Sequence, residues 1–218
     1  MPVKLNSAGG GSVTFDVGSI GSTYTLIAPA NNGTLISSGT SSRLIPQAAM
    51  PTGSILQTQY TSSRTRTTVD STSFVEPSSA YRVSITPSSS SSYFIIKYFM
   101  MLNPGGNYAS NTLFSLRAFR ILNGVTTYSV TSAGASNGSR NAIAGVGFRP
   151  EGYDTNDSIP ISFYVIDSPA TTSACTYGFV FKRETGGGGI MYFGYTAGDN
   201  SNWGWDTNIN LVAQEIAQ

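Results

Sequence analysis

The segment that best combines side chains for ligand recognition is "GGGGIMYFGYTAGDNSNWGWDTN", residues 186–208. Sugar C–H faces stack on flat aromatic rings, while Asn and Asp side chains exchange hydrogen bonds with sugar hydroxyls. The alternative is that these aromatics fill the core of a β domain, because large aromatic side chains are mostly buried. The residues of the predicted glycan-binding surface are Tyr195, Asp199, Asn200, Trp203 and Trp205.

A second loop, "EGYDTND" at residues 151–157, clusters oxygen-bearing side chains. Such oxygens can hold Ca²⁺, but the alternate acids, the glycine and the distal glutamate of an EF-hand are missing. Because Asp and Asn are frequent turn residues, a plain turn is the favoured interpretation, and no metal site is predicted.

Most residue types that enzymes use for covalent or acid–base chemistry are scarce. The chain has no histidine, and Cys175 is its single cysteine, which excludes a Ser-His-Asp triad, a Cys-His pair, a Cys/His zinc site and an intrachain disulfide. The acidic residues offer no recognisable pair of carboxylates that could flank a glycosidic bond. We therefore expect a protein that is not an enzyme and needs no cofactor, with Cys175 as a small buried side chain.

Charge is sparse, since charged residues make up 11% of the 218 residues and the net charge is +1. The arginines are scattered, so each is interpreted as a solvated or singly paired surface charge. Without a basic field to attract a polyanion, no nucleic-acid binding is expected. The chain also lacks an apolar run near the roughly 20 residues that span a bilayer, so no membrane insertion is expected.

The spacing of apolar residues predicts an all-β protein. Short runs rich in Val, Ile, Thr, Tyr and Phe alternate with Gly, Asn, Ser and Pro, which is typical of an antiparallel β-sandwich. Only "INLVAQEIAQ" near the end also fits a helix. We predict a jelly-roll-like β-sandwich head over residues 51–218.

The run "YFIIKYFMML", residues 93–102, is apolar on both faces of a strand. A period of two places Phe94, Ile96 and Tyr98 on one face, and Lys97 is the one polar residue of the other. A monomeric sandwich would expose part of such a surface, and large apolar patches usually mark association. We predict a homo-oligomer, with a homotrimer as the expected closure. The residues assigned to its interface are Tyr93, Ile95, Phe99 and Met101.

Residues 1–50 contain three short strand candidates and too few apolar side chains for an independent core. The region is predicted to be a short extended β N-terminal arm that anchors the chain on its own body, on neighbouring copies or on a larger assembly. "PQAAMPTGS", residues 46–54, reads as the linker to the head.

Three segments of the chain have distinctive wording: "KLNSAGGGSVTFDVGSIGSTYTLIAPANNGTLISSG", "VSITPSSSSSYFIIKY" and "FYVIDSPATTSACTYGFVFKRETG". Together they resemble structural proteins of tailed bacteriophages, notably marine and cyanobacterial ones. The resemblance implies a virion protein of the tail-fibre type, whose trimeric jelly-roll head is similar to those of the tumour-necrosis-factor and C1q families. It implies no cofactor.

Three functions follow as expectations from these observations. In the first, the chain is a homotrimeric phage tail fibre at the particle surface, attached to other virion proteins through residues 1–50 and touching host-surface glycan with its head. In the second, it is a capsid decoration or head-fibre protein without a direct receptor role. In the third, the chain is a free-standing lectin, but this role leaves the anchoring arm unexplained.

Overall fold

The computed structural model describes residues 3–6, 12–15, 50–105, 113–128, 145–150, 157–185, 189–198 and 205–218. The chain forms two compact units, Met1–Ile45 and Pro46–Gln218. In the first unit, β1 (Val3–Asn6) pairs antiparallel with β2 (Ser12–Phe15). The predicted division between residues 50 and 51 and the anchoring role of the arm stay predictions. Three residues of the predicted glycan-binding surface lie outside the described residues, namely Asp199, Asn200 and Trp203.

The second unit is built from strands and a short 3-10 turn at Ser79–Tyr81. Its strands in chain order are β3 (Ile55–Ser63), β4 (Thr67–Val69), β5 (Val83–Ile85), β6 (Tyr93–Pro104), β7 (Leu113–Leu122), β8 (Val125–Thr127), β9 (Gly145–Phe148), β10 (Ile159–Asp167), β11 (Cys175–Thr185), β12 (Met191–Phe193) and β13 (Ile209–Ile216).

Six of these strands form the large sheet, which is organised around β6. Strand β10 pairs with one edge of β6, and β13 pairs with the other edge, so that both neighbours run antiparallel to it. Strand β12 continues along the β13 edge, where Phe193 is opposite Leu102. Strands β3 and β4 then pair with β13 and β12.

Five strands form the small sheet in the order β5, β11, β7 and β8, with β9 also paired to β7. The β7–β8 hairpin turns at Asn123 and Gly124, whose φ angles of 50° and 78° are both left-handed. An Asn-Gly pair suits a two-residue hairpin turn, because both central positions of that turn need positive φ. All pairings in both sheets are antiparallel.

The core lies between the two sheets, and a third of its buried residues are aromatic. The ring of Tyr98 in β6 meets Phe179 in β11 edge-on, with centroids 6.2 Å apart, and the Tyr98 hydroxyl donates to the Gly178 carbonyl at 3.1 Å. Phe181 and Phe193 make a second edge-on contact between the sheets at 5.2 Å. Edge-to-face pairs favour the ring quadrupoles beyond the area they bury, so these contacts fix how the sheets face each other.

A buried ion pair also links the sheets. Asp167, at the end of β10, accepts a hydrogen bond from Arg120 Nη1 of β7 at 2.5 Å and from the Tyr177 hydroxyl of β11 at 2.8 Å. The Asp167 and Arg120 side chains are only 3% and 16% exposed. Burial and the neighbouring Asp167 charge raise the pKa of Tyr177, so this hydroxyl keeps its proton and donates. The interpretation of Arg120 as a surface charge is therefore wrong.

A second buried carboxylate, Glu215 in β13, holds the serine-rich loop that precedes β6. One oxygen accepts from the Ser88 amide at 2.8 Å and from the Ser88 hydroxyl at 2.7 Å, and the other accepts from Gln57 Nε2 at 2.6 Å. Burial by itself raises the pKa of Glu215, but the bonds from Gln57 and Ser88 outweigh burial and the pKa is lowered. The serine run is a loop, and its link to Glu215 could not be seen from the sequence.

The described structure confirms the predicted all-β antiparallel sandwich. It also resolves the ambiguous end of the chain, since residues 209–216 form strand β13. Tyr177, Phe179 and Phe181 lie together on the inner face of β11, and Cys175 is buried, as predicted. Among the described residues, no helix has the length and apolar character to cross a bilayer.

Replacing Asp167 by Asn is expected to lower the free energy of unfolding by about 3 kcal/mol, because the Arg120 charge is left buried without its partner. Asp206→Asn is the matched control. It breaks an ion pair with Arg66 whose side chains are 50% and 56% exposed, and exposed pairs contribute at most about 1 kcal/mol. Urea unfolding of both variants measures the difference, and equal losses would contradict the inter-sheet role of Asp167.

Glu215→Gln is expected to cost about 2 kcal/mol at pH 7, since bonds to a charged acceptor are lost. Because the pKa of Glu215 is lowered by folding, its carboxylate stabilises the fold above the ordinary carboxyl pKa near 4.5, and this contribution disappears as the pH falls through the folded-state pKa. Thermal melts of both proteins from pH 7 to pH 3 should therefore converge in acid. A constant gap across this range would show that ionisation of Glu215 does not hold the loop.

Candidate functional site

The outer face of the large sheet is the main exposed apolar surface of the described structure. Directly opposed residues of antiparallel strands share a face, so the strand register places their side chains in rows. Three rows cross β10, β6, β13 and β3 in that order: Tyr164, Lys97, Val212 and Tyr60; Ile166, Ile95, Gln214 and Thr58; and Ser162, Phe99, Asn210 and Ser62.

We call this surface the outer face. Tyr164 is 65% exposed, Tyr60 77%, Phe99 43% and Ile166 37%. From Tyr93 to Met101 it is about 27 Å long, and its four strand axes span about 14 Å. Six of the twelve residues in the rows are polar, and three of the exposed apolar ones, Tyr164, Ile166 and Phe99, lie together on β10 and β6. A cluster of exposed apolar residues often marks a contact site, whereas single ones need no explanation.

All four residues predicted to form an interface lie on this side of β6. Phe99 is exposed, whereas Tyr93, Ile95 and Met101 are half-buried, and their neighbours in β6 point into the core. The structure adds three apolar members from other strands, Tyr164, Ile166 and Tyr60. Tyr164 and Ile166 alternate with buried residues along β10, whereas Tyr60 lies in a strand whose other residues are mostly polar.

Lys97 lies near the centre of the outer face, between Tyr164 and Val212. It is the only charged side chain in the three rows. Its methylene stem can cover apolar surface while the ammonium group stays in water. A partner that covers this face must leave the ammonium a route to solvent or supply an acceptor, because burying an unpaired charge is costly.

The outer face of the small sheet is partly covered by the chain itself. Phe119 is 2% exposed, with the Arg82 guanidinium 5.8 Å from its ring centroid. Arg117 lies 5.2 Å from the Tyr128 ring centroid, and the Lys182 ammonium lies 4.7 Å from that of Phe74. These cation–aromatic contacts cover part of the outer face of the small sheet, although Tyr128 remains 40% exposed.

A cavity of about 350 Å³ opens where β6 ends and where β10 and β13 begin. Both neighbouring strands run antiparallel to β6, so their first residues lie beside its last ones. Trp205 is 64% exposed at this cavity, and the buried Thr207 Oγ1 has no hydrogen-bond partner among the described residues. The lining residues are Met101, Asp157, Ser158, Trp205 and Thr207.

The predicted glycan-binding surface is only partly described. Trp205 lines the cavity, whereas Tyr195 does not and instead contacts the Tyr192 ring at 5.1 Å and the Arg66 guanidinium at 5.2 Å. The two residues lie in paired neighbouring segments, since Tyr195 is opposite Asp206, but only Trp205 lines the cavity. Sequence reasoning missed Ser158 and Thr207, which carry no motif and reach the cavity only through strand pairing.

Metal and thiol chemistry have little support in the described part of the chain. No group of three His, Cys, Asp or Glu side chains there is arranged to hold a metal ion. Burial raises the pKa of the Cys175 thiol, which keeps it protonated and weakens it as a nucleophile. Of the second candidate loop, Asp157 is described and lines the cavity, while Glu151, Asp154 and Asn156 lie outside the described residues.

No family model and no curated protein matches the chain. Among solved structures, a chain in "Structure of infectious bursal disease virus Gx strain" is similar to it, with a TM-score of 0.28 and 11% identity. The similarity covers 76% of this chain and 39% of that chain, so this chain spans about two fifths of its length. At this TM-score the likeness assigns neither a family nor a function.

Gly178→Ala tests how tightly the Phe119 ring packs against Gly178 on the outer face of the small sheet. An added Cβ would lie 2.5 Å from Phe119 Cζ, so the ring must move and about 2 kcal/mol of stability should be lost. Gly147→Ala is the control, since its Cβ would meet nothing closer than 3.6 Å. Its stability should change by less than about 1 kcal/mol. Chemical unfolding that gives both variants the same stability would contradict the packed layer.

Proposed function

We propose that this chain is a non-enzymatic structural protein of a bacteriophage particle, namely a homotrimeric tail fibre with a β-sandwich head. In this proposal residues 1–50 attach the chain to other virion proteins, and the head contacts the host surface. The observation that carries the proposal is the outer face, an apolar sheet surface that the described chain leaves uncovered. The resemblance of three segments to tailed-phage structural proteins supplies the biological setting.

The asymmetry of the two sheets supports assembly through the large one. On the small sheet Phe119 is buried with the Arg82 guanidinium beside its ring, although Tyr128 remains 40% exposed. The large sheet leaves Tyr164 and Phe99 exposed. Covering the exposed parts of Tyr164 and Phe99 stabilises an association by about 1 kcal/mol each, so a partner for this face gains from both contacts.

Lys97 favours a ring of copies over a face-to-face pair. A two-fold axis near the centre of the outer face would bring two Lys97 ammonium groups together, and opposed like charges at an interface cost several kcal/mol. In a three-membered ring each outer face meets a different surface of the next copy. Lys97 then needs to meet no second lysine, which agrees with the trimeric heads that the resemblance implies.

The experiment is sedimentation velocity of the full-length chain and a double variant, Phe99→Thr with Tyr164→Thr. The wild-type chain should sediment as a trimer, and the variant should associate at least tenfold more weakly because two apolar contacts are lost. Threonine keeps the strand preference, so circular dichroism should show an unchanged sandwich. The control is Val125→Thr, an equally exposed apolar position on the small sheet, which should leave the trimer intact.

A wild-type chain that sediments as a single copy at every concentration would refute the assembly. The alternative role, a decoration or head-fibre protein, uses the same assembly, and its test is location. Antibody-labelled particles should carry the chain at the tail in the proposed role. Label spread over the shell would instead assign it to the decoration role.

A further inference from the structure

We propose that the cavity beside Trp205 is a saccharide-binding subsite that holds a single pyranose ring or a disaccharide. The inference deepens the proposed contact with the host surface and rests on that function for its biological role. Its chemical basis is the cavity alone. The residues of this cavity differ from those of the glycan-binding surface predicted from the sequence. Tyr195 lies outside it, and the polar groups come from other strands.

The size of the cavity limits the ligand. At about 350 Å³ the volume is near the lower end of the range for small-molecule sites, which begins at about 300 Å³. A space of this size accommodates one or two sugar rings, whereas a long oligosaccharide would have to extend over the rim.

The wall chemistry selects a ligand with one apolar face and hydroxyl groups at its edges. The Trp205 indole is 64% exposed, although Trp is highly buried on average, and its flat face suits the C–H face of a pyranose. Met101 adds a polarizable apolar wall. The Asp157 carboxylate accepts hydrogen bonds, and the hydroxyl groups of Ser158 and Thr207 both donate and accept them.

Thr207 gives the clearest sign that a polar ligand belongs here. Its Oγ1 is buried and has no hydrogen-bond partner among the described residues. A buried hydroxyl group without a partner costs about 1–3 kcal/mol, so such a group usually has a ligand or water to satisfy it. Because this oxygen is also closed to solvent, a sugar hydroxyl group forms the missing bond only when the Thr207 side chain turns toward the cavity.

The framework of the cavity is fixed before any ligand arrives. The Trp205 amide donates to Thr196 Oγ1 at 3.0 Å, and its carbonyl accepts from the Thr196 amide at 3.1 Å. On the opposite wall the buried Asn103 side chain donates to the Asp157 carbonyl and accepts from the Ala197 amide at 2.9 Å. Asn103 thus ties both walls together, and preorganised walls bind with less loss of conformational entropy.

The test uses the full-length chain and two arms. Free methyl pyranosides of glucose, galactose, mannose and N-acetylglucosamine, and their disaccharides, are screened by saturation-transfer NMR. The same sugars linked to a glass surface are screened as an array. Binding of a free sugar identifies the ring itself as the ligand, while binding on the array alone identifies a surface-linked chain. Either result supports the subsite if it depends on Trp205.

Trp205→Ala should weaken binding at least tenfold, and Trp205→Tyr should restore most of it because a ring is kept. Thr207→Val, which removes only the hydroxyl group, should weaken binding several-fold. Val125→Ala is the control, since it removes a side chain that is 66% exposed on the small sheet, away from the cavity and from the outer face, and it should leave the affinity for free sugar unchanged.

The subsite is overturned if no sugar binds in either arm, or if Trp205→Ala binds as tightly as the wild-type chain. Failure here is distinct from failure of the assembly. If the chain is a trimer but binds no sugar, the subsite is refuted and the assembly stands. If the chain is a single copy that binds sugar through Trp205, the assembly is refuted and the subsite stands.

Discussion

Strand β6 carries apolar side chains on both faces, and a two-layer sandwich can bury only one of them. Its inner residues, such as Phe94 and Tyr98, are fully enclosed against the aromatic row of β11. Its outer residues and those of β10 are left at the surface, with Tyr164 as the most exposed member of the β10–β6 pair. Hydrophobic association grows with the apolar area removed from water. The proposed assembly follows from this surplus of apolar strand surface.

The polar groups that the fold buries connect strands and loops within one copy. They do not contribute to the outer face. Asp167 ties β10 to the small sheet through Arg120 and Tyr177, and Glu215 ties the serine-rich loop to β13. Both carboxylates point inward, so neither is available to pair with Lys97 on the outer face. Stability of one copy and association between copies are therefore carried by different side chains, which allows each to be perturbed separately.

Local patterns in the sequence were enough for the fold class and for the faces of the long strands. The period of two in β6 correctly assigned Phe94 to the core and Phe99 to the outer face, because alternation is a property of one strand. The ion pair of Arg120 with Asp167 spans 47 residues, and the bond of Glu215 to Ser88 spans 127, so both depend on how distant strands pair. The cavity beside Trp205 was missed for the same reason, since its walls meet only where three strand ends come together.

The most direct test of the central claim is hydroxyl-radical footprinting of the full-length chain, read by mass spectrometry at high and low concentration. Tyr164 and Phe99 should be protected in the concentrated sample despite their exposure in a single copy, and Trp205 should react freely at both concentrations. Protection should fade on dilution as the copies separate. If Tyr164 and Phe99 react equally fast at all concentrations, as their exposure in one copy predicts, the outer face is not shared between copies and the account is wrong.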